Sequence, residues 1–114
     1  MKRVLIVDDE PVIRTLVTAS LESGECTVVA VGDGPSALES VQKGRPDLIL
    51  LDVALPGMSG RDVARRLKAD RRTASIPILY LTGLDAGPCL YAEGVIAKPF
   101  TPASLRACAA DWLR

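Results

Sequence analysis

At 114 residues the chain has the length of one compact domain, and with 48% hydrophobic residues it can bury an ordinary core. Fourteen basic and fourteen acidic side chains cancel, so bulk charge argues for neither nucleic acid nor an anionic membrane as a partner. Histidine is absent, which excludes a histidine general base, a histidine metal site and a phosphohistidine carrier; with 4% aromatic residues, the core is left to Val, Leu, Ile and Ala.

The first element is "RVLIV" (3–7), a continuous apolar run suited to a strand covered on both faces. It ends in Asp8 and Asp9 and is too short for a signal peptide or a membrane span. Pro11 suits a first helical turn, where its missing N–H costs nothing, and Ile13, Leu16, Val17 and Leu21 form the stripe that Gly24 terminates. "TVVAV" (27–31) is the second strand. Asp33-Gly34 makes a turn, and Pro35 starts a helix whose inner face is Ala37, Leu38 and Val41. "DLILL" (47–51) is the third strand, followed by a helix over about 60–70 with Val63, Ala64 and Leu67 inward. "PILYL" (77–81) is the fourth strand and ends at Thr82. The Gly- and Pro-rich "GLDAGP" leaves room for a brief helix only, roughly 88–93. "GVIA" (94–97) is the fifth strand, and Thr101 caps a last helix with Pro102 just inside it and Leu105, Cys108, Ala109 and Trp112 on one face.

Strict alternation of strands and helices implies a parallel sheet with helices on both faces, joined by right-handed crossovers. No linker or repeat interrupts it, so a single domain over 1–114 with no effector domain is expected. In such a sheet, functional groups collect beyond the carboxyl ends of the strands. Asp8 and Asp9 follow strand one, Asp52 follows strand three, Thr82 follows strand four and Lys98 follows strand five. With strand order 2-1-3-4-5 the acids share one crevice. Three carboxylates held together repel unless a cation intervenes, and an oxygen-rich, histidine-free set suits Mg²⁺ (or Mn²⁺). Metal, lysine and hydroxyl would cradle a phosphoryl group on Asp52, because a carboxylate can act as nucleophile and form an acyl phosphate.

The stretches "VLIVDDE", "PDLILLDVALPGMSG", "PILYLT" and "AKPF" together resemble the receiver domain of bacterial two-component response regulators over essentially the whole chain. The resemblance implies an α/β, flavodoxin-like fold: five parallel strands in the order 2-1-3-4-5 flanked by five helices. It implies Asp52 as phosphoacceptor, taking its phosphoryl group from a sensor histidine kinase or a histidine phosphotransfer protein of a phosphorelay. Asp8, Asp9 and Asp52 would hold Mg²⁺ with the backbone carbonyl of Ala54, while Lys98 and Thr82 would contact the phosphoryl oxygens. Such a domain acts enzymatically only on its own modification, and its output is a changed surface for a downstream protein.

Two departures from the family pattern stand out. Val95 occupies the place, three residues before the lysine, where relatives carry a Tyr or Phe that turns inward as the threonine moves. Thr82 and Lys98 are sixteen positions apart (98 − 82), more than a helical turn closer than usual, so the fourth helix is shortened to begin at Gly87-Pro88. Tyr91 on that helix is a candidate substitute ring, weighed against simple packing. Ala54 and Leu84 stand two places after the phosphoacceptor and the threonine; neither can orient water, so slow autodephosphorylation is expected.

Other features read as structural. Cys26, Cys89 and Cys108 lack metal-ligand spacing and are expected as reduced packing thiols of a cytoplasmic protein. Arg61, Arg65, Lys68 and Arg72 form a basic stripe at helical spacing, expected to be a solvated face rather than a nucleic-acid surface. The readings left open beside the phosphorylation switch are a phosphorylation-insensitive or constitutive interaction module and, more remotely, a Mg²⁺-dependent phosphatase.

Overall fold

The computed structural model describes residues 1–83 and 90–113. β1 (Lys2–Val7), α1 (Pro11–Leu21), β2 (Cys26–Val31), α2 (Gly34–Lys43), β3 (Leu48–Asp52), α3 (Gly60–Ala69), β4 (Ile78–Thr82), β5 (Gly94–Ala97) and α4 (Pro102–Trp112) follow in that order. All strand pairings are parallel and the sheet order is β2-β1-β3-β4-β5. β1 and β3 lie side by side inside the sheet, which is why their runs are apolar without interruption: each needs apolar side chains on both faces.

Alternation along the strands sorts those side chains into two layers. Val4, Ile6, Leu48, Leu50, Leu79 and Leu81 pack with Val17 and Leu21 of α1 and Leu105 and Ala109 of α4. Leu5, Val7, Ile49, Leu51, Ile78 and Tyr80 pack with Ala37 and Val41 of α2 and Val63, Ala64 and Leu67 of α3. Each fully buried Leu or Ile contributes about 1.5–3 kcal/mol relative to exposure. The starts of α2, α3 and α4 are set by side-chain caps, while α1 starts on Pro11 without one. Asp33 accepts from the Ser36 amide at 2.7 Å, Ser59 and Asp62 form a capping box for α3, and Thr101 and Ser104 form one for α4.

Four helices are present among the described residues. Gly87, Pro88 and Cys89, together with Leu84, lie outside the described residues, but 90–93 is turn rather than helix. Tyr91 has φ 68°, a left-handed conformation that cannot continue a right-handed helix, so this end of the expected brief helix is corrected. Trp112, expected inward on α4, is 38% exposed; Leu105 and Ala109 alone carry the buried stripe there. Cys26 is buried and Cys108 half-buried, both as free thiols, and burial raises both thiol pKa values, as packing cysteines should show.

The basic stripe does not run as one solvated face. α3 ends at Ala69, so Arg72 lies beyond it and pairs with Asp70 at 2.9 Å. Lys68 turns its ammonium to Ala74 O at 3.1 Å, Ile76 O at 2.9 Å and Glu93 Oε1 at 2.9 Å. Glu93 in turn accepts from the Ile78 amide at 2.7 Å and donates its own amide to Ile78 O at 2.8 Å. Lys68 and Glu93 therefore clamp the entry ends of β4 and β5, at the opposite end of the sheet from the acids.

Candidate functional site

The carboxyl ends of β1 and β3 deliver the acids. Val7 pairs with Leu51, which puts Asp8 and Asp52, one residue further on each, at the same rim. Asp8 is 0% and Asp52 5% exposed, whereas Asp9 faces solvent. One carboxylate oxygen from each of Asp8, Asp9 and Asp52 falls within 4.8 Å of the others. Lys98, just past the end of β5, reaches across β4 to this cluster. Its Nζ lies 2.9 Å from Asp8 Oδ2, 3.6 Å from Asp52 Oδ2 and 3.9 Å from Glu10 Oε1.

Titration follows from this crowding. Burial raises the Asp52 carboxyl above the usual aspartate range. The Ala54 amide, donating to Asp52 Oδ1 at 3.0 Å, pulls it back; Asp8 raises it, Lys98 opposes and Asp9 adds to the rise. Burial works against the charge on Lys98, but the hydrogen bond and charge of Asp8, then the charges of Asp52 and Glu10, raise its pKa overall. The resting lysine is thus spent chiefly on Asp8, not on Asp52.

Of the positions singled out in the sequence, Asp8, Asp9, Asp52, Ala54, Thr82 and Lys98 border this rim. Asp8, Asp9, Asp52 and Lys98 meet directly, and Ala54 borders the cluster through its main chain. Thr82 ends the neighbouring strand, with its carbonyl accepting from the Lys98 amide at 2.8 Å. Val95 and Tyr91 lie elsewhere: Val95 is 39% exposed on β5 in register with Tyr80, and Tyr91 is exposed.

Three further residues shape the site. A Cβ at Gly60 would sit 2.1 Å from the Asp52 carbonyl oxygen, so the chain can fold back over the end of β3 only with glycine there. The Gly60 amide also donates to Val53 O at 3.0 Å. The second glycine of "PGMSG" was visible, but only as a helix start. Glu10 caps the first acid through its amide, donated to Asp8 Oδ1 at 2.9 Å. Arg14 donates from Nη1 to the Asp8 carbonyl at 2.8 Å. Its available signal was a cation near a helix N-terminus, where the dipole disfavours one.

An all-oxygen donor set of three acids, two of them buried, fits a hard divalent ion such as Mg²⁺ better than zinc. The family model for the response regulator receiver domain matches residues 4–110. This chain belongs to that family. Receiver domains are signalling domains of two-component systems rather than enzymes in the ordinary sense. The chain is 40% identical to the DNA-binding response regulator MtrA of Mycolicibacterium smegmatis, over 91% of its own length and 47% of that protein. It is 40% identical to the phosphate regulon transcriptional regulatory protein PhoB of Pseudomonas aeruginosa, over 91% of its own length and 48% of that protein. The chain thus spans about half the length of the curated relatives it matches.

Among solved structures it superposes on the chemotaxis protein CheY4 of Vibrio cholerae with TM-score 0.91, 32% identity and 99% of each chain covered. It also superposes on the receiver domain of a Pseudomonas aeruginosa sensor histidine kinase, with TM-score 0.88, 32% identity and 98% and 97% of the two chains covered. That domain was solved with a magnesium ion coordinated in its active site cleft. No helix of the described residues is long and apolar enough to cross a membrane.

Proposed function

We propose that this chain is a Mg²⁺-dependent (or Mn²⁺-dependent) phosphoacceptor switch of the cytoplasm. Asp52 takes a phosphoryl group from a sensor histidine kinase or a histidine phosphotransfer protein, and the modified domain changes its affinity for a downstream protein. The carrying observation is the convergence of Asp8, Asp9 and Asp52 within 4.8 Å, with Lys98 Nζ 3.6 Å from Asp52. Asp8, Asp9, Asp52 and the carbonyl of Ala54 would hold the metal, which when bound neutralises charge on the transferring group.

An Asp52 carboxylate oxygen bonds to phosphorus as the bond from phosphorus to the donor imidazole nitrogen breaks, and the imidazole keeps that electron pair. Lys98 moves from Asp8 to the new phosphoryl oxygens, and Thr82 donates its hydroxyl to them. Two charge-assisted hydrogen bonds at about 1.5–3 kcal/mol each approach the roughly 5.5 kcal/mol that takes a two-state domain from mostly off to mostly on. The neutral chain is read as contacting neither nucleic acid nor membrane itself.

Incubation with Mg²⁺ and acetyl phosphate followed by intact mass tests the reading. One added phosphoryl group, absent with chelator and in Asp52→Asn, is expected; no mass gain refutes it. A second reading, a phosphorylation-insensitive interaction module, is favoured by the exposed Val95 where relatives carry a ring. It predicts phosphorylation with no change in amide exchange along β4 and β5.

A further inference from the structure

Asp8 is held at every polar atom. Its amide donates to Val31 O at 3.1 Å, where the β1–β2 pairing ends. Oδ1 accepts from Glu10 and Oδ2 from Lys98, both at 2.9 Å. The carbonyl, past the last rung of the ladder, accepts from Arg14 Nη1 at 2.8 Å. The guanidinium reaches that carbonyl by lying over Gly32, where an added Cβ would come within 3.1 Å of Nη1 and 3.9 Å of Asp8 O. A cation one turn into a helix opposes the helix dipole and stands near three acids that are to receive a divalent cation. Charge alone therefore gives Arg14 no reason to be there as far as the metal is concerned; its hydrogen bond does.

We propose that Arg14, seated over Gly32, is a positioning residue that fixes the Asp8 main chain so that the Asp8 carboxylate faces Asp9 and Asp52 at metal-binding separation. The inference rests on reading the acid cluster as a Mg²⁺ site. Partners that orient a ligand without touching the metal are typically worth about 10- to 100-fold in affinity. The two physical effects of removing Arg14 have opposite signs. Loss of a like charge tightens Mg²⁺ binding, whereas loss of the hydrogen bond lets Asp8 drift and weakens it.

The test is calorimetric titration of Mg²⁺ at fixed ionic strength into wild type, Arg14→Met, Arg14→Lys and Gly32→Ala, with circular dichroism to confirm folding. Arg14→Met is expected to bind about 10-fold more weakly, with Arg14→Lys recovering part of the loss because an ammonium can still donate to the Asp8 carbonyl. Gly32→Ala is expected to weaken binding by a smaller factor, and the double variant Arg14→Met/Gly32→Ala to show no further loss, since both changes break one contact. Folded Arg14→Met with unchanged or tighter Mg²⁺ binding overturns the proposal. If Arg14→Met does not fold, unaltered binding in both Gly32→Ala and Arg14→Lys overturns it instead. Wild type that binds no Mg²⁺ overturns the metal-site reading itself, a distinguishable outcome.

Discussion

Replacing Asp52 by Asn should make the metal-free protein more stable, not less. Asp8 and Asp9 each place an oxygen within 4.8 Å of one on Asp52, and at that outer distance and an effective dielectric near 20 each repels it by about 3.5 kcal/mol. Lys98 at 3.6 Å attracts it by about 4.6 kcal/mol. About 2 kcal/mol of net repulsion is left, before adding the burial that further disfavours the charge. The amide of Asn keeps an oxygen for the Ala54 N–H, and Lys98 keeps its 2.9 Å bond to Asp8, so no partner is orphaned. Allowing for solvent around Asp9, the gain is about 1–2 kcal/mol, or about 5–10 °C in Tm.

The effect carries a pH signature. The folded state binds the Asp52 proton more tightly than the unfolded chain does. This carboxylate therefore lowers stability at neutral pH, and the loss is regained as pH falls through its raised folded value. The advantage of Asp52→Asn should accordingly shrink on acidification. Urea melts at pH 7 and near pH 4.5, without Mg²⁺, read both. A variant less stable than wild type at pH 7, or an advantage that does not change with pH, refutes the reasoning.

Three other substitutions probe neighbouring parts of the same construction. Lys98→Met leaves the fully buried Asp8 without its ion-pair partner and should cost about 3 kcal/mol in urea melts, while Mg²⁺ titration shows tighter binding because the lysine no longer competes for Asp8; weaker binding contradicts this. Gly60→Ala forces a Cβ onto the Asp52 carbonyl and should cost about 3 kcal/mol and suppress phosphorylation, whereas Gly24→Ala, with open space around it, serves as a near-neutral control in the same two assays. Tyr80→Phe removes the hydroxyl donated to Leu90 O and should cost about 1 kcal/mol by urea melt; an effect below a few tenths shows that the bond contributes nothing.

The sheet was readable from the chain because interior strands need apolar residues on both faces: "VLIV" and "LILL" admit few other readings. The meeting of the acids was readable for a related reason. Acids that end such runs, Asp8 and Asp52, are placed by topology once the strand order is known. Other features depend on distances that sequence spacing does not encode. Gly60 matters because a Cβ there would lie 2.1 Å from the Asp52 carbonyl oxygen, and Arg14 matters because a carbonyl at the end of β1 lacks a strand partner. Periodicity put Arg72 on a helix that stops at Ala69 and Trp112 on an inner face whose burial ends with Ala109, since helix ends and weak apolar stripes yield to packing. A residue such as Tyr91, with its left-handed backbone, gives no sequence warning at all, because side chains other than glycine rarely adopt it.

The most direct test of the phosphoacceptor assignment is chemical. After incubation with Mg²⁺ and acetyl phosphate, sodium borohydride reduces an aspartyl phosphate to homoserine, and peptide mass spectrometry locates the converted residue. Conversion at position 52 alone is predicted. Conversion at Asp8 or Asp9, or a phosphoryl group that survives borohydride on a serine or threonine, contradicts the assignment.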